Sequence, residues 1–157
     1  MILRFPYLPE PIQGAPPPSL PKSAQERWRP LVPILVHGPM GSSISLTRAL
    51  VDPGADDTIL PFDIAKVLGL TLLPSTSHAM RWRGQRFGLR FGVVELELTD
   101  DSGDSIRWPA TVAFTAANVR YPLLGMAGCL EFLDATFFGK DHMLELEPNA
   151  SFPIITP

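Results

Sequence analysis

The sequence lacks several features that define common functional classes. Its 157 residues include a single cysteine, Cys129, which excludes an internal disulfide and is compatible with a reducing compartment. No run approaches the roughly 18–20 apolar residues that a membrane-spanning helix needs, and Met1–Pro6 offers no uninterrupted apolar stretch for a signal-peptide core. The formal net charge of -3 contrasts with the basic excess of nucleic-acid binders. We therefore expect a soluble, cytoplasmic protein with no membrane or nucleic-acid partner.

Sequence motifs for metal binding and for nucleophilic catalysis are also missing. The three histidines show no HExxH or metal-clip spacing. The acidic stretch Asp100–Asp104 lacks the distal glutamate of an EF-hand, which favours an ordinary hairpin turn. There is no GxSxG motif, and Cys129 stands beside Leu130 in an apolar segment, which favours an inert core thiol. The sequence thus predicts an activity without metal or cofactor.

Proline is abundant and unevenly distributed. Nine of the 18 prolines lie in the first 33 positions. Because proline fixes φ and has no N–H, residues 1–30 are not expected to form a helix or a central strand, and Pro16–Pro18 should adopt extended polyproline II structure. We interpret residues 1–30 as a proline-rich N-terminal arm that wraps the domain. The alternative is a ligand for a proline-recognition module.

From Leu31 onwards, short apolar runs alternate with turn residues, and the alternation of Val94, Leu96 and Leu98 with two glutamates has the period of a half-buried strand. Many short strands with one or two short helices indicate an all-β fold, either a small barrel or a sandwich. The predicted strands are Leu31–Val36, Ser43–Leu50, Val94–Leu98, Ile106–Phe114, Ala135–Phe138 and Met143–Glu147, and the predicted helical stretches are Phe62–Leu68 and a turn ending at Phe132.

The acidic loop after the second strand carries the chemistry. Asp52 follows the apolar residues Ala49–Val51, and Gly54 allows a sharp turn just after it. Two carboxylates that face each other cannot both ionise, so they share a proton, and the pair can activate water while protonating a carbonyl. One chain with one such loop supplies one carboxylate. The second must come from another copy across a two-fold axis. An Asp-Pro-Gly turn in an unrelated β protein is the alternative.

The run Ala49–Leu60 resembles the active-site segment of the retropepsins, in which apolar residues precede Asp-Thr/Ser-Gly-Ala-Asp and a short apolar strand. Leu123-Leu124-Gly125 followed by Met126–Phe132 is similar to a second feature of that family, an apolar pair and glycine leading into a short helix. The resemblance implies a small closed retropepsin-like barrel over residues 31–148, followed by a C-terminal tail at 149–157. It also implies a homodimeric aspartic endopeptidase that acts on a peptide or protein substrate.

The resemblance also assigns roles to individual residues. Asp52 would be the catalytic carboxylate, within an active-site loop that continues through Pro53 and Gly54. Ala55, Asp56 and Asp57 would line the substrate groove, and Gly125 would lie beneath the loop and contribute to substrate binding. A flap would have its tip within Arg83, Gly84, Gln85, Arg86, Phe87 and Gly88, closing over bound peptide.

Two positions depart from the family pattern. Pro53 replaces the usual Thr or Ser, whose hydroxyl and N–H link the two catalytic loops across the axis. Met126 replaces an arginine that would pair with Asp56, so Asp56 is expected to use Arg48, Arg120 or an arginine of the arm. A catalytically weak or silent dimeric module that binds peptides or supports assembly is therefore the alternative function. The arginine-rich stretch around Trp82 is interpreted as a solvated flap face, with a nucleic-acid patch as its alternative.

Overall fold

Strands dominate the structure, a computed structural model that describes residues 1–74 and 77–153. Over these residues the chain forms thirteen strands and one helix. In chain order these are β1 (Leu3–Pro6), β2 (Leu8–Pro11), β3 (Glu26–Arg29), β4 (Leu31–His37), β5 (Ser43–Val51), β6 (Ile59–Pro61), α1 (Phe62–Val67), β7 (Ala79–Trp82), β8 (Gln85–Gly88), β9 (Arg90–Thr99), β10 (Ser105–Thr115), β11 (Leu123–Leu124), β12 (Leu133–Phe138) and β13 (Met143–Pro148).

Six strands close into a barrel in the order β10-β6-β11-β5-β4-β9. The longest pair, β9 and β10, is antiparallel and places Leu96 opposite Trp108. Every second residue of β9 points inward, and Val94, Leu96 and Leu98 are at most 3% exposed. The indole N–H of the fully buried Trp108 donates to the Gly128 carbonyl at 2.9 Å, so its polar atom is satisfied inside the core. The predicted all-β fold with a small closed barrel is confirmed.

The two-residue strand β11 organises one side of the barrel. It runs parallel to β5 and antiparallel to β6. Leu50 N donates to the Pro122 carbonyl at 2.8 Å on one side of the strand, and Asp52 N donates to the Leu124 carbonyl at 3.0 Å on the other. Leu124 is fully buried. This short ladder fixes the end of β5, and with it the start of the acidic loop, against the glycine-containing segment that follows β11.

Of the two predicted helical stretches, one is confirmed. Helix α1 begins after Pro61 and ends near Gly69, whose φ of +64° reverses the chain. The segment 126–132 instead forms turns, so the prediction of a helix there is wrong. Gly128 adopts a φ of +85°, which a right-handed helix does not accommodate. The amide N–H groups of Leu130 and Glu131 bond five residues back, to Gly125 and Met126.

The N-terminal strand is joined to the body of the protein. β1 pairs with β13 at the edge of a three-stranded sheet of order β1-β13-β12. Leu3 and Phe5 are 0% and 4% exposed and belong to the main hydrophobic core. Strands β2 and β3 form a separate hairpin. The predicted extended proline segment is interrupted, because Leu20 N donates to the Pro17 carbonyl at 3.0 Å and closes a turn.

The chain after β13 also returns to the barrel. Asn149 N donates to the Phe132 carbonyl at 3.0 Å. The ring centroids of Phe152 and Trp108 are 5.9 Å apart. The remainder of the predicted tail, 154–157, is outside the described residues. Among the helices of the described chain, none has the length and apolarity to cross a membrane.

Candidate active site

Asp52 is the first residue after β5, where the chain leaves the barrel. The preceding Ala49 and Val51 are 0% and 2% exposed, which anchors the strand in the core. Asp52 itself is half-buried, and its amide is held by the Leu124 carbonyl at 3.0 Å. The carboxylate is therefore carried by a rigid strand end, at the boundary between core and solvent, a suitable support for a reactive group.

The loop after Asp52 folds back on the carboxylate. Gly54 N donates to Asp52 Oδ1 at 2.9 Å, and Ala55 N donates to the Asp52 carbonyl at 3.1 Å. A Cβ added at Gly54 would approach Asp52 Oδ1 to 3.1 Å, which is tighter than ordinary contact. Pro53, at the exposed corner, has no N–H to contribute to this turn. One carboxylate oxygen is thus oriented by the loop's own backbone.

Gly125 packs directly against this loop. A Cβ there would lie 2.2 Å from the Asp57 carbonyl oxygen and 2.7 Å from that of Ala55, so the close approach requires glycine. Met126 N donates to the Ala55 carbonyl at 2.9 Å, and Ala127 N donates to the Asp56 carbonyl at 2.9 Å. The segment after β11 thus supports the acidic loop from beneath. The substrate-binding roles assigned to Ala55, Asp56, Asp57 and Gly125 stay predictions.

Thr58 is a supporting residue that the sequence analysis missed. It is fully buried, and its hydroxyl accepts the Gly125 N–H at 3.3 Å. Its own N–H donates to the Ala127 carbonyl at 3.0 Å. The sequence does contain a signal for this role, because Thr58 is a polar residue immediately before the apolar pair Ile59-Leu60. A lone hydroxyl at the start of a buried strand needs a hydrogen-bond partner.

Strands β7 and β8 form the hairpin that the resemblance assigned to a flap. Trp82 pairs with Gln85 across a two-residue turn. Both turn residues have positive φ, +49° at Arg83 and +78° at Gly84, as a tight hairpin turn requires. The tip is therefore Arg83–Gly84, while the other predicted flap residues, Gln85–Gly88, make up β8. The functional role of this hairpin stays a prediction.

Asp52 lines a cleft of about 260 Å³. The other lining residues come from β3, from the end of β5, from the β7–β8 hairpin and from the segment that leads into β11. The lining residues are Arg29, Leu50, Asp52, Trp82, Val119, Arg120, Tyr121 and Leu123. Of the residues predicted to form the site, only Asp52 is part of this lining. Trp82, one position before the predicted flap residues, was missed.

A buried glutamate connects the N-terminal hairpin to this cleft. Glu10, on β2, is 6% exposed. One of its oxygens lies 2.9 Å from Arg120 Nη1 and 3.7 Å from Arg29 Nη1, and the other accepts the Tyr121 hydroxyl at 2.6 Å. Glu10 is not recognisable from the sequence, because its partners are 19 or more positions away and no local pattern surrounds it.

The ion pairs also correct one expectation. Arg120, and Arg29 of the arm, were candidate partners of Asp56, but both pair with Glu10. Within residues 1–74 and 77–153, Asp56 has no ion-pair partner within 4.0 Å, and its side chain is exposed. The predicted ion pair of Asp56 is therefore wrong.

Two other groups fall outside the proposed chemistry. Cys129 is fully buried, and burial raises the pKa of its thiol to about 12, which agrees with an inert core thiol. A wider cleft, about 440 Å³, opens beside His37, Glu95 and Arg107. Its Glu95 carboxylate is already paired with Arg107, so it is not available as a reactive group. No cluster of three metal-ligating side chains occurs in the part of the chain that the structure describes.

Neither a protein-family model nor a curated protein sequence matches this chain. Among solved structures, it is similar to EIAV protease complexed with the inhibitor HBY-793. The TM-score is 0.40 and the identity 16%, and the match covers 62% of this chain and 81% of that one. A similarity of this degree identifies no family and no activity, so the site has to be interpreted from its own geometry.

Proposed function

We propose that this chain is one half of an aspartic endopeptidase, in which Asp52 carboxylates from two copies meet across a two-fold axis. The observation that carries the proposal is the position of Asp52. It leaves the barrel at a rigid strand end, has one oxygen held by Gly54 N at 2.9 Å, and lines a cleft beside an aromatic hairpin residue, Trp82. These features fit a group that must be oriented, partly desolvated and reachable by an extended peptide.

In the proposed dimer the two carboxylates share one proton, since like charges in contact cannot both ionise. The ionised Asp52 removes a proton from water as the oxygen attacks the peptide carbonyl carbon. The protonated partner gives its proton to the carbonyl oxygen, which forms a tetrahedral diol. Transfer of a proton to the amide nitrogen then breaks the C–N bond and releases an amine and a carboxylic acid. No metal or cofactor enters this cycle.

A digest of a mixed peptide library at mildly acidic pH tests this function. The wild type should cut internal peptide bonds, and Asp52→Asn should lower the rate by at least about 100-fold, because the variant cannot hold or transfer the proton. Asp101→Asn, an exposed aspartate in the turn between β9 and β10, is the matched control and should cut like the wild type. Equal cleavage by the wild type and Asp52→Asn would refute the proposal.

Pro53 favours a second candidate function, a dimeric peptide-binding module with little or no catalysis. Proline lacks both groups that would tie the two loops together, and each lost buried hydrogen bond is worth about 1 kcal/mol. Pro53→Thr separates the two functions. If loose geometry limits the wild type, the variant should gain about ten-fold or more in kcat/KM. Absence of cleavage by both the wild type and Pro53→Thr, with peptide binding intact, would favour the silent module.

A further inference from the structure

The cleft beside Asp52 combines apolar residues with two arginines. Leu50 and Leu123 are among its apolar lining residues, and Arg29 and Arg120 lie in the same lining as Asp52. The Arg29 side chain is 32% exposed and that of Arg120 59% exposed. Both arginines are therefore partly open to solvent in a cleft that Asp52 also lines.

Glu10 orients both arginines and leaves them with excess positive charge. Its side chain is 8% exposed and pairs with Arg120 at 2.9 Å and Arg29 at 3.7 Å. The Tyr121 hydroxyl holds the second Glu10 oxygen at 2.6 Å, which fixes the carboxylate. The two guanidinium groups exceed the charge of Glu10 by one, and Asp52, which in the proposed dimer shares a proton with its partner copy, offsets only part of that excess. Arginine's planar set of donors is suited to a further carboxylate, because it can serve two acceptors at once.

The hairpin next to the cleft adds charge of the same sign. Residues 77–92 contain four arginines and no carboxylate, although the whole chain has a formal net charge of -3. Arg81, Arg83 and Arg86 are exposed, and Trp82 of the same hairpin lines the cleft. The hairpin that contributes Trp82 to the cleft is thus positively charged, in contrast to the net charge of the whole chain. Such a field attracts anionic ligands.

We infer that this cleft selects peptides with an acidic side chain close to the bond over Asp52. The inference rests on the proposed function, since it names the substrate class of the same site. The Glu or Asp methylenes would lie on Leu50 and Leu123, and its carboxylate would bind Arg120 and Arg29. An acidic peptide fits better than a polynucleotide, because leucine side chains line part of the cleft and the whole chain has a formal net charge of -3, which disfavours a long run of phosphates.

Binding to the Asp52→Asn variant tests the inference independently of cleavage. We would label pairs of short peptides that differ only by Glu or Gln at central positions and measure binding by fluorescence anisotropy. The Glu form should bind at least about five-fold more tightly at low salt, and the preference should shrink as ionic strength rises. Arg120→Gln should reduce the preference to less than about two-fold, with Arg29→Gln producing a smaller reduction in the same direction.

Arg107→Gln is the matched control, because Arg107 is also a partly exposed arginine paired with a glutamate, Glu95, and is not part of the Asp52 cleft. It should keep the preference. Equal binding of the Glu and Gln peptides, a preference that survives Arg120→Gln, or tighter binding of a single-stranded oligonucleotide would each overturn the inference. The outcomes for the two proposals are separable, since an acidic preference can be found in a protein that never cleaves, and cleavage can occur without the preference.

Discussion

At the scale of single residues, Gly125 is a position where the site has no room for a side chain. A side chain there would collide with backbone oxygens, at 2.2 Å from Asp57 and 2.7 Å from Ala55, and backbone cannot move aside as a flexible side chain can. We expect Gly125→Ala to lower the free energy of unfolding by about 2–3 kcal/mol and to weaken the support of the loop that holds Asp52. Denaturant melts of wild type and variant measure the loss.

Gly139 provides the control for this substitution. A Cβ at Gly139 meets no atom within 4 Å, and its φ is outside the left-handed region. Gly139→Ala should therefore change the free energy of unfolding by less than about 0.5 kcal/mol. If Gly125→Ala proves as stable as Gly139→Ala, the two segments do not approach each other as closely as the structure shows.

Asp100 gives the protein a residue-level sensitivity to acid. The Ser102 hydroxyl, at 2.6 Å, is the main group that lowers the pKa of this carboxyl below its ordinary value of 3.8; the amides of Arg4, Asp104 and Ser102 add to this, and burial partly opposes it. Because the folded-state pKa is below the unfolded-state pKa, ionised Asp100 stabilises the fold above about pH 4. That contribution is lost as pH falls through the lowered pKa.

The stabilisation by ionised Asp100 can be checked by measuring the melting temperatures of wild type and Asp100→Asn between neutral pH and about pH 2. We expect the wild type to be more stable at neutral pH and the difference to narrow as the solution is acidified. The neighbouring Asp101, which is exposed, supplies the control variant Asp101→Asn. A difference between wild type and Asp100→Asn that does not depend on pH would rule out the ionised carboxylate as the source of the stabilisation.

At the scale of elements, strand β1 is more than a peripheral arm. Leu3 lies on β1 and is fully buried in the main hydrophobic core, so Leu3→Ala should cost about 3 kcal/mol of unfolding free energy through lost burial and the cavity left behind. Arg4 lies between Leu3 and Phe5 and points outward, with its side chain 61% exposed and paired with Glu145. Arg4→Ala should cost less than about 1 kcal/mol. Similar losses for both variants in thermal or denaturant melts would contradict the placement of β1 in the core.

The elements that sequence reasoning predicts well are those with a local signal. The two-residue alternation of Val94, Leu96 and Leu98 predicts β9, and Pro61 together with Gly69 marks the ends of α1. The segment 126–132 was predicted wrongly because Gly128 adopts a positive φ there. Glycine populates positive and negative φ about equally, so the sequence does not specify which one it adopts. Glu10 was missed because its role depends on Arg120 and Tyr121, which approach it only through the tertiary fold.

The site, too, has a part that follows from local sequence and a part that depends on the tertiary fold. Asp52 and Gly54 are two positions apart in the sequence, so their turn follows from residue chemistry, and the structure shows the hydrogen bond between them at 2.9 Å. The cleft lining joins β3, β5, β7 and the residues around β11, segments separated by long stretches of chain. No local pattern specifies such a surface. Its combination of two arginines, Asp52 and apolar side chains therefore comes from the fold and not from any one motif.

At the scale of the whole molecule, one chain offers one Asp52, so the proposed chemistry depends on association. Activity per chain should rise with protein concentration until all chains are dimeric, and the midpoint should match the dissociation constant from sedimentation equilibrium. A monomer would have an unpaired carboxylate with no second acid to protonate the substrate. Activity per chain that stays constant at concentrations where sedimentation shows only monomers would exclude a shared site.

Mixing wild type with Asp52→Asn provides the sharper form of this test. When the subunits exchange freely, an equal mixture leaves only about a quarter of the dimers with two Asp52 carboxylates. Activity should thus fall with the square of the wild-type fraction, because a mixed dimer has a single carboxylate and cannot both remove and donate a proton. The control diluent, Asp101→Asn, should leave activity unchanged, since it alters an exposed turn and keeps Asp52. A linear decline with Asp52→Asn, under conditions where labelled subunits demonstrably exchange, would mean that each chain acts alone, and a single-chain mechanism would then have to replace the paired carboxylates.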